Sequence, residues 1–383
     1  MRPVQEVIVR RWLAESLPKP VEQALDRLAR TDDVCRIAVM PDAHLADDVC
    51  IGTVVATTRA IYLYAVGGDI GCGMAAIRFN SEASLLFEER AAAKVLNGLS
   101  CVVPSIRHGV VSAVGQLPDH LRAMPLSDRG LERFKERDAR VQLGTLGRGN
   151  HFLEFQADEK GGLWLMVHSG SRIMGPAIRE FHLRKATRTA TGLWFLDSDS
   201  QNGLAYLQDL EWALAYAEEN RQAMIRATVS LMEDLFEVTA DWSSGFSCHH
   251  NHVRQETHEG YRWWVHRKGA IGAGVGVKGI IPGSMGTASY HVEGRGHAAS
   301  LESSSHGAGR AMCRGQAHRI IRLDQFKREM KGVWFDQRHL SRLCDEAPSA
   351  YKNITYVMRA QRELTKILRV VRPVLSYKAI SWR

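Results

Sequence analysis

AIYLYAVGGDIGCGMAAIRF, residues 60–79, reads as two apolar strands separated by a glycine-rich loop. Residues 60–66 and 74–79 are nearly free of polar side chains, as strands buried on both faces are. Between them stands Gly67-Gly68-Asp69-Ile70-Gly71-Cys72-Gly73, in which four of seven residues are glycine. Such density implies unusual backbone angles or close approach by a ligand. Asp69 and Cys72 place a carboxylate and a thiol three positions apart on that turn, where both can reach one metal ion. Taken alone the pair is weak, because a cysteine between glycines is more often a small buried residue.

The same design recurs outward along the chain. Residues 34–40 form an apolar run that stops at Pro41-Asp42-Ala43-His44, which reads as a loop. Residues 164–167 run into His168-Ser169-Gly170-Ser171-Arg172, and residues 261–266 run into Arg267-Lys268-Gly269-Ala270. Strand ends that empty into polar, glycine-bearing loops are where sites usually lie. Residues 204–238 carry Leu207, Leu210, Leu214, Ala217, Met224 and Ile225 near helical spacing, so one or two amphipathic helices are expected there as scaffold. Residues 269–315 are dense in glycine, serine and histidine with little helical periodicity. No fixed repeat, low-complexity tract or clean linker divides the chain, which favours one interwoven domain over residues 1–383.

Histidines strengthen the metal reading. His151 follows the glycine loop at 143–150 and His168 ends the next apolar strand, so a hairpin-like return brings two imidazoles together. His249-His250-Asn251 and His306-Gly-Ala-Gly-Arg310 add further candidates in irregular segments. Any one of them is most simply a satisfied core or surface histidine. Their joint placement in glycine- or asparagine-marked loops is hard to explain as packing. Neutral imidazoles need partners to hold them, and Asn150, Asn251 and nearby carbonyls are the expected ones. Donor chemistry alone points to zinc or another transition metal. His306 has different company: Ser303-Ser304-Ser305 before it and Arg310 after it read as an anion-friendly neighbourhood, and histidine can act as a covalent nucleophile.

Bulk composition sets the limits. The chain has 383 residues, of which 45% are hydrophobic and 24% charged, so a sizeable core forms without staples. Fifty Lys and Arg against 42 Asp and Glu leave +8, which suits a polyanionic partner and is weak support for nucleic acid. Seven scattered cysteines with no C-x-x-C pair argue against a disulfide framework and for a reducing compartment. The arginines of MRPVQEVIVRRWLAES interrupt any signal core, and no stretch reaches the roughly 18 apolar residues of a membrane span. A cytosolic protein is expected.

Eight segments carry a resemblance. PDAH (41–44), AVGGDIGCGM (65–74), LGTLGRGNHFLE (143–154), HSGSR (168–172), CHHN (248–251), RKGA (267–270), IIPGSMGTASY (280–290) and SHGAGR (305–310) resemble the RtcB RNA ligases, in that family's order. The likeness spans about residues 34–378. It implies an α+β fold of mixed sheets with peripheral helices around a central metal cleft. It further implies two manganese ions, in place of the zinc that donor preference suggests, held by Asp69, Cys72, His151, His168 and His250, with Cys72 bridging both. His250 is preferred to His249 because it directly precedes the asparagine.

By the same resemblance His306 is the nucleophile toward the α-phosphate of GTP, and Asp42 assists catalysis. Glu154 would read the guanine edge, Ser284, Ser289, Tyr351 and Lys378 would line the nucleotide, and Asn150 would contact phosphate. Arg310 is expected to pair with phosphate on its own chemistry. The implied reaction joins RNA ends carrying a 2′,3′-cyclic phosphate or 3′-phosphate to 5′-hydroxyl ends through a guanylylated histidine. Whether a stimulating protein assists is left open. Arg172-Ile173-Met174-Gly175, Gly68, Arg148 and a tail beyond Lys378 depart from the family's commoner pattern and suggest a paralogue with its own RNA preference. Two other readings compete: a metal-dependent cyclic phosphodiesterase or nuclease without ligation, and an RNA-binding protein without catalysis.

Overall fold

The computed structural model describes residues 7–109 and 115–378. Two large sheets position everything else. The first is five-stranded, in the order Ile8–Arg11, Val34–His44, Ile51–Thr57, Tyr261–Lys268, Asn251–His258. Its first pair is parallel and the remaining neighbours are antiparallel. Strand side chains alternate between faces. Accordingly Ile37 and Val39 join one apolar cluster, while Ala38 and Met40 join another on the opposite side.

The second sheet is seven-stranded, in the order Ala240–His249, Gly73–Glu82, Gly162–Ser169, Phe152–Asp158, Thr365–Lys378, Ser289–Gly294, Lys278–Ile281. It curls until its two edge strands approach one another, giving a near-barrel. The alternation repeats here: Ala75, Ile77 and Phe79 face one cluster, whereas Met74 and Ala76 face another with Trp164 and Met166. Mixed sheets with peripheral helices confirm the expected α+β class.

Helices cover the Phe79 face. Glu89–Val102 contributes Ala92, Val95 and Leu99, and Gln201–Phe236 contributes Met224, Ile225 and Met232. The latter is one uninterrupted helix of 36 residues, resolving the choice between one helix and two. Ser200 caps its start by accepting a hydrogen bond from the Gly203 amide at 3.0 Å, and Glu237 ends it in a left-handed conformation. No helix among the described residues is long and apolar enough to cross a membrane.

Two local expectations are corrected. Residues 60–66 are not one strand: Ala60–Tyr62 is extended, and Leu63–Val66 winds a single helical turn. That turn puts Leu63 and Val66, three apart, into one apolar cluster while Tyr62 and Ala65 enter another, which a continuous strand does not achieve. Gly67 closes the turn with φ 87°, donating its amide to the Leu63 carbonyl at 3.0 Å. Pro41-Asp42-Ala43-His44 is likewise not a free loop but the end of the strand Val34–His44, bulged between Val39 and His44. Proline lacks the amide that a regular ladder would use, so the bulge is a natural place for it.

Candidate metal centre

The Asp69-to-Cys72 turn is fixed from below by backbone. The Cys72 amide donates to the Asp69 carbonyl at 3.1 Å, the Gly71 amide to the Asn251 carbonyl at 2.8 Å, and the His250 amide to the Cys72 carbonyl at 2.8 Å. The turn thereby docks onto the corner between the strands Ala240–His249 and Asn251–His258. Gly71 has φ 71°, and a Cβ there would meet the Ala217 Cβ of the long helix at 2.8 Å, so only glycine lets the turn sit this close. The Asn251 side chain ties the Asp69 carbonyl to the Gly269 amide.

Five side chains converge on this turn. Cys72 Sγ lies 3.2 Å from His168 Nε2 and 3.4 Å from His151 Nε2, and His151 Nε2 lies 2.8 Å from Asp69 Oδ2. Donor atoms group into two sets, Cys72 with His168 and His250, and Asp69 with Cys72 and His151, each within 4.8 Å of one another. Cys72 belongs to both. The expected hairpin delivers the two imidazoles, for Phe152–Asp158 pairs with Gly162–Ser169 so that Phe152 faces His168.

The donor set fits a cation. His151 Nδ1 faces the Leu146 carbonyl at 3.0 Å while Nε2 faces the Asp69 carboxylate, and a neutral imidazole has only one proton to offer two acceptors. With its proton on Nδ1, the neutral ring turns the Nε2 lone pair and the Asp69 carboxylate toward one another, an arrangement suited to a cation. His168 Nδ1 and His250 Nδ1 are buried without hydrogen-bond partners among the described residues. Burial, reinforced by neighbouring cations, pushes both rings well below the usual histidine range, keeping them in the neutral form that binds metal. Burial and the nearby Asp69 push the Cys72 thiol well up. A metal that binds here displaces its proton.

His249 stands apart from these sets. Its Nδ1 lies 3.1 Å from the Gly71 carbonyl and 3.2 Å from Arg221 Nη2, so the choice of His250 as the donor agrees with the geometry. The expected imidazole partners are only partly found. A backbone carbonyl holds His151, but Asn251 braces the turn instead, and Asn150 is exposed.

Next to the centre opens a cavity of about 310 Å³. His306 lines it, with its ring 4.6 Å from that of His250 and its Nδ1 2.7 Å from Oδ2 of the fully buried Asp42. Asn150, Glu154, Ser284, Ser289, Arg310, Tyr351 and Lys378 line the same cavity, so every residue expected around a nucleotide reaches it. Burial pushes Glu154 up to about 8, although Gln156 Nε2 donates to its Oε1 at 2.7 Å and Lys378 is near. Ser289 Oγ accepts from the Gly283 amide at 3.2 Å, and Ser284 Oγ lies 2.9 Å from Thr287 Oγ1.

Two readings around His306 need correction. Ser303–Ser305 is a buried strand paired with Ala270–Gly272, not an open anion cradle. Its polar atoms are spent inward: Ser303 Oγ takes Arg267 Nε at 2.9 Å, and the Ser305 amide donates to Gln361 Oε1 at 2.9 Å. Arg310 is not a free phosphate partner either. Its guanidinium donates to the Met312 and Asp345 carbonyls at 3.0 and 2.7 Å and to the Tyr351 hydroxyl at 3.2 Å.

The sequence reading missed Glu346. This buried carboxylate lines the cavity, takes the Tyr351 hydroxyl at 2.6 Å and pairs with Lys378 and Arg314. Burial raises it, but Lys378 and Arg314 outweigh that and hold it at about 2. An acidic pair, Asp345-Glu346, in the otherwise apolar neighbourhood 343–350 was the only signal available. His44, Phe152 and Arg314 also line the cavity unannounced.

A mixed α+β fold with a thiol-imidazole-carboxylate cluster able to hold a metal ion, beside a polar cavity, defines a candidate metal centre with an adjoining ligand site. The family profile described as tRNA-splicing ligase RtcB matches residues 24–134 and 120–379, and this chain belongs to that family. RNA-splicing ligase RtcB of Escherichia coli strain K12 is 34% identical over 369 residues, covering 89% of this chain and 90% of that protein. An Escherichia coli RNA-splicing ligase RtcB2 is 29% identical, covering 93% and 91%. The tRNA-splicing ligase RtcB of Pyrococcus horikoshii is 31% identical over 63% of this chain and 34% of its own longer one. Along nearly its whole length the chain is thus similar to proteins named as RNA-splicing ligases.

Proposed function

We propose that this protein is a GTP- and manganese-dependent ligase that joins RNA 2′,3′-cyclic phosphate or 3′-phosphate ends to 5′-hydroxyl ends through guanylylated His306. The observation that carries this reading is the position of His306. It faces the cavity that holds Glu154, stands against His250 of the candidate metal centre, and is held at Nδ1 by Asp42. With Asp42 as acceptor, Nδ1 carries the ring proton and Nε2 keeps its lone pair for attack.

In the first step Nε2 of His306 attacks the α-phosphorus of GTP, and the bond to the departing pyrophosphate breaks. Asp42 offsets the charge that develops on the ring. Glu154 accepts from N1–H and the 2-amino group of guanine, while Lys378 and Tyr351, anchored by Glu346, close the cavity around the base. A cyclic phosphate end is first opened by water to a 3′-phosphate. An oxygen of that phosphate then displaces His306 and takes the GMP. Finally the 5′-hydroxyl attacks the activated RNA phosphorus and GMP leaves.

Asp69, Cys72, His151, His168 and His250 would hold two manganese ions sharing Cys72, which when bound neutralise phosphate oxygens and activate water. The basic surplus of +8 suits the RNA backbone. The test is a joining assay with RNA halves bearing a 2′,3′-cyclic phosphate and a 5′-hydroxyl, with GTP and manganese. Joined product supports the proposal. Opening of the cyclic phosphate without joining would favour the phosphodiesterase reading, and RNA binding alone the non-catalytic one.

A further inference from the structure

Two adjacent residues of the long helix, Asn220 and Arg221, are fully buried although both are polar and one is charged. Sequence periodicity treats this helix as scaffold, and a buried guanidinium is costly unless its donors are used. Here they are used on the loops that carry the metal-centre side chains. Arg221 Nη1 donates to the Gly71 carbonyl at 3.0 Å and to the Ser169 carbonyl at 2.9 Å. Gly71 immediately precedes Cys72, and Ser169 immediately follows His168. One nitrogen thus ties together the two loops whose side chains meet at 3.2 Å.

The other donors reach the third loop. Nη2 pairs with Glu218 Oε2 at 2.7 Å and lies 3.2 Å from His249 Nδ1, and Nε donates to Ser247 Oγ at 3.3 Å. His249 and Ser247 belong to the strand end that delivers His250. Asn220 does the corresponding work on the fourth loop. Its Oδ1 accepts from the Gly144 amide at 2.8 Å, and its Nδ2 donates to Ser169 Oγ at 3.0 Å. Ser169 Oγ in turn donates to the Leu146 carbonyl at 2.7 Å, the same carbonyl that receives His151 Nδ1.

We propose that Arg221, with Asn220 beside it, is a positioning residue that sets the spacing of Cys72, His168 and His250, so that the metal centre is preformed before any ion arrives. The inference rests on the metal-centre reading above. A planar guanidinium bonding two carbonyls from different loops is a rigid spacer, which a lysine replaces only in part. Partners of this kind, one shell out from the ligands, typically control metal affinity by about 10–100-fold.

The test is manganese uptake by the full chain, followed by the magnetic-resonance signal of the free ion. Arg221→Met should bind manganese at least about tenfold more weakly, while the metal-free protein still unfolds cooperatively. Arg221→Lys should recover part of the loss, and excess manganese should restore adduct formation in both. A purely structural role predicts no such cure by metal. Should Arg221→Met fail to fold, Glu218→Gln decides, because its side chain is 36% exposed and the change removes the charge that holds Arg221 Nη2 without opening the core. That variant should also bind more weakly than wild type. Wild-type affinity in a folded Arg221→Met, or in Glu218→Gln where Arg221→Met does not fold, overturns the inference. A wild-type protein that takes up no manganese defeats the metal reading itself, and this inference with it.

Discussion

Asp42 Oδ2 and His306 Nδ1 stand 2.7 Å apart, although the two residues are 264 positions apart in the chain. Asp42 is wholly buried and His306 faces the cavity, so the carboxylate approaches the ring from behind and Nε2 has no hydrogen bond among the described residues. Asp42→Asn should keep the fold yet lower the rate of guanylylation by about 10²–10⁴-fold, because an amide no longer holds the ring proton in place or offsets charge. Single-turnover adduct formation measures this. A rate within twofold of wild type would remove Asp42 from the chemistry.

Sharing of Cys72 between both donor sets makes its loss different from that of any histidine. Cys72→Ala should weaken both metal equivalents, by about 10–100-fold or more each, whereas His151→Ala should weaken mainly the one it shares with Asp69. Metal analysis after equilibrium dialysis reads the stoichiometry. Two intact equivalents in Cys72→Ala would contradict a shared ligand.

Much of this centre was legible because its donors are rare residue types set in short glycine-marked loops, where burial in a core is a poor explanation. Asp69, Cys72, His151, His168, the pair His249-His250 and His306 stood out as candidates in that way, the family resemblance picked five of them as ligands, and the structure brings Asp69, Cys72, His151, His168 and His250 together. Asn220 and Arg221 did not. In an amphipathic helix a polar residue at those positions looks like any solvated one, and its burial depends on loops that arrive from distant parts of the chain. Glu346 was hidden for the same reason, since its partners lie at 310, 314, 351 and 378. The serine run 303–305 misled in the opposite direction: hydroxyls that suit an anion serve equally well inside a buried strand. Residues 60–66 are apolar enough for a strand, and only the clusters on either side decide for a helical turn.

Glu154 should make guanine binding depend on pH. Burial holds its carboxyl up to about 8, so below that pH it carries a proton. Guanine offers two N–H donors and needs the ionised form, so binding releases a proton. Affinity should therefore weaken as pH falls below about 8, by up to about tenfold per unit. Titration calorimetry between pH 6 and 8 in two buffers reads both the trend and the proton. Glu154→Gln should lose the trend and the preference for GTP over ATP. A pH-independent affinity in the wild type would argue against this role.

Glu346 ties together Arg310, Arg314, Tyr351 and Lys378, which all line the cavity, and removing it strands a buried cation. Glu346→Ala should cost about 3–5 kcal/mol, seen as a lowered thermal midpoint, and should weaken nucleotide binding through Lys378 and Tyr351. Since the folded carboxylate is held at about 2 against an ordinary 4.5, its contribution is complete above 4.5 and fades only as pH falls toward 2. A variant as stable as wild type at neutral pH would show that Lys378 finds another partner.

His306 should carry GMP while the residues around Cys72 carry metal. Labelled GTP and manganese, followed by denaturation, should leave one covalent label on the wild-type chain and none on His306→Ala, which should still bind manganese. Given RNA already guanylylated at its 3′ end and a 5′-hydroxyl partner, His306→Ala should seal the two, while His250→Ala should fail in both assays. A normal adduct on His306→Ala, or a His306→Ala defect traced to lost metal, would show that His306 is not the nucleophile.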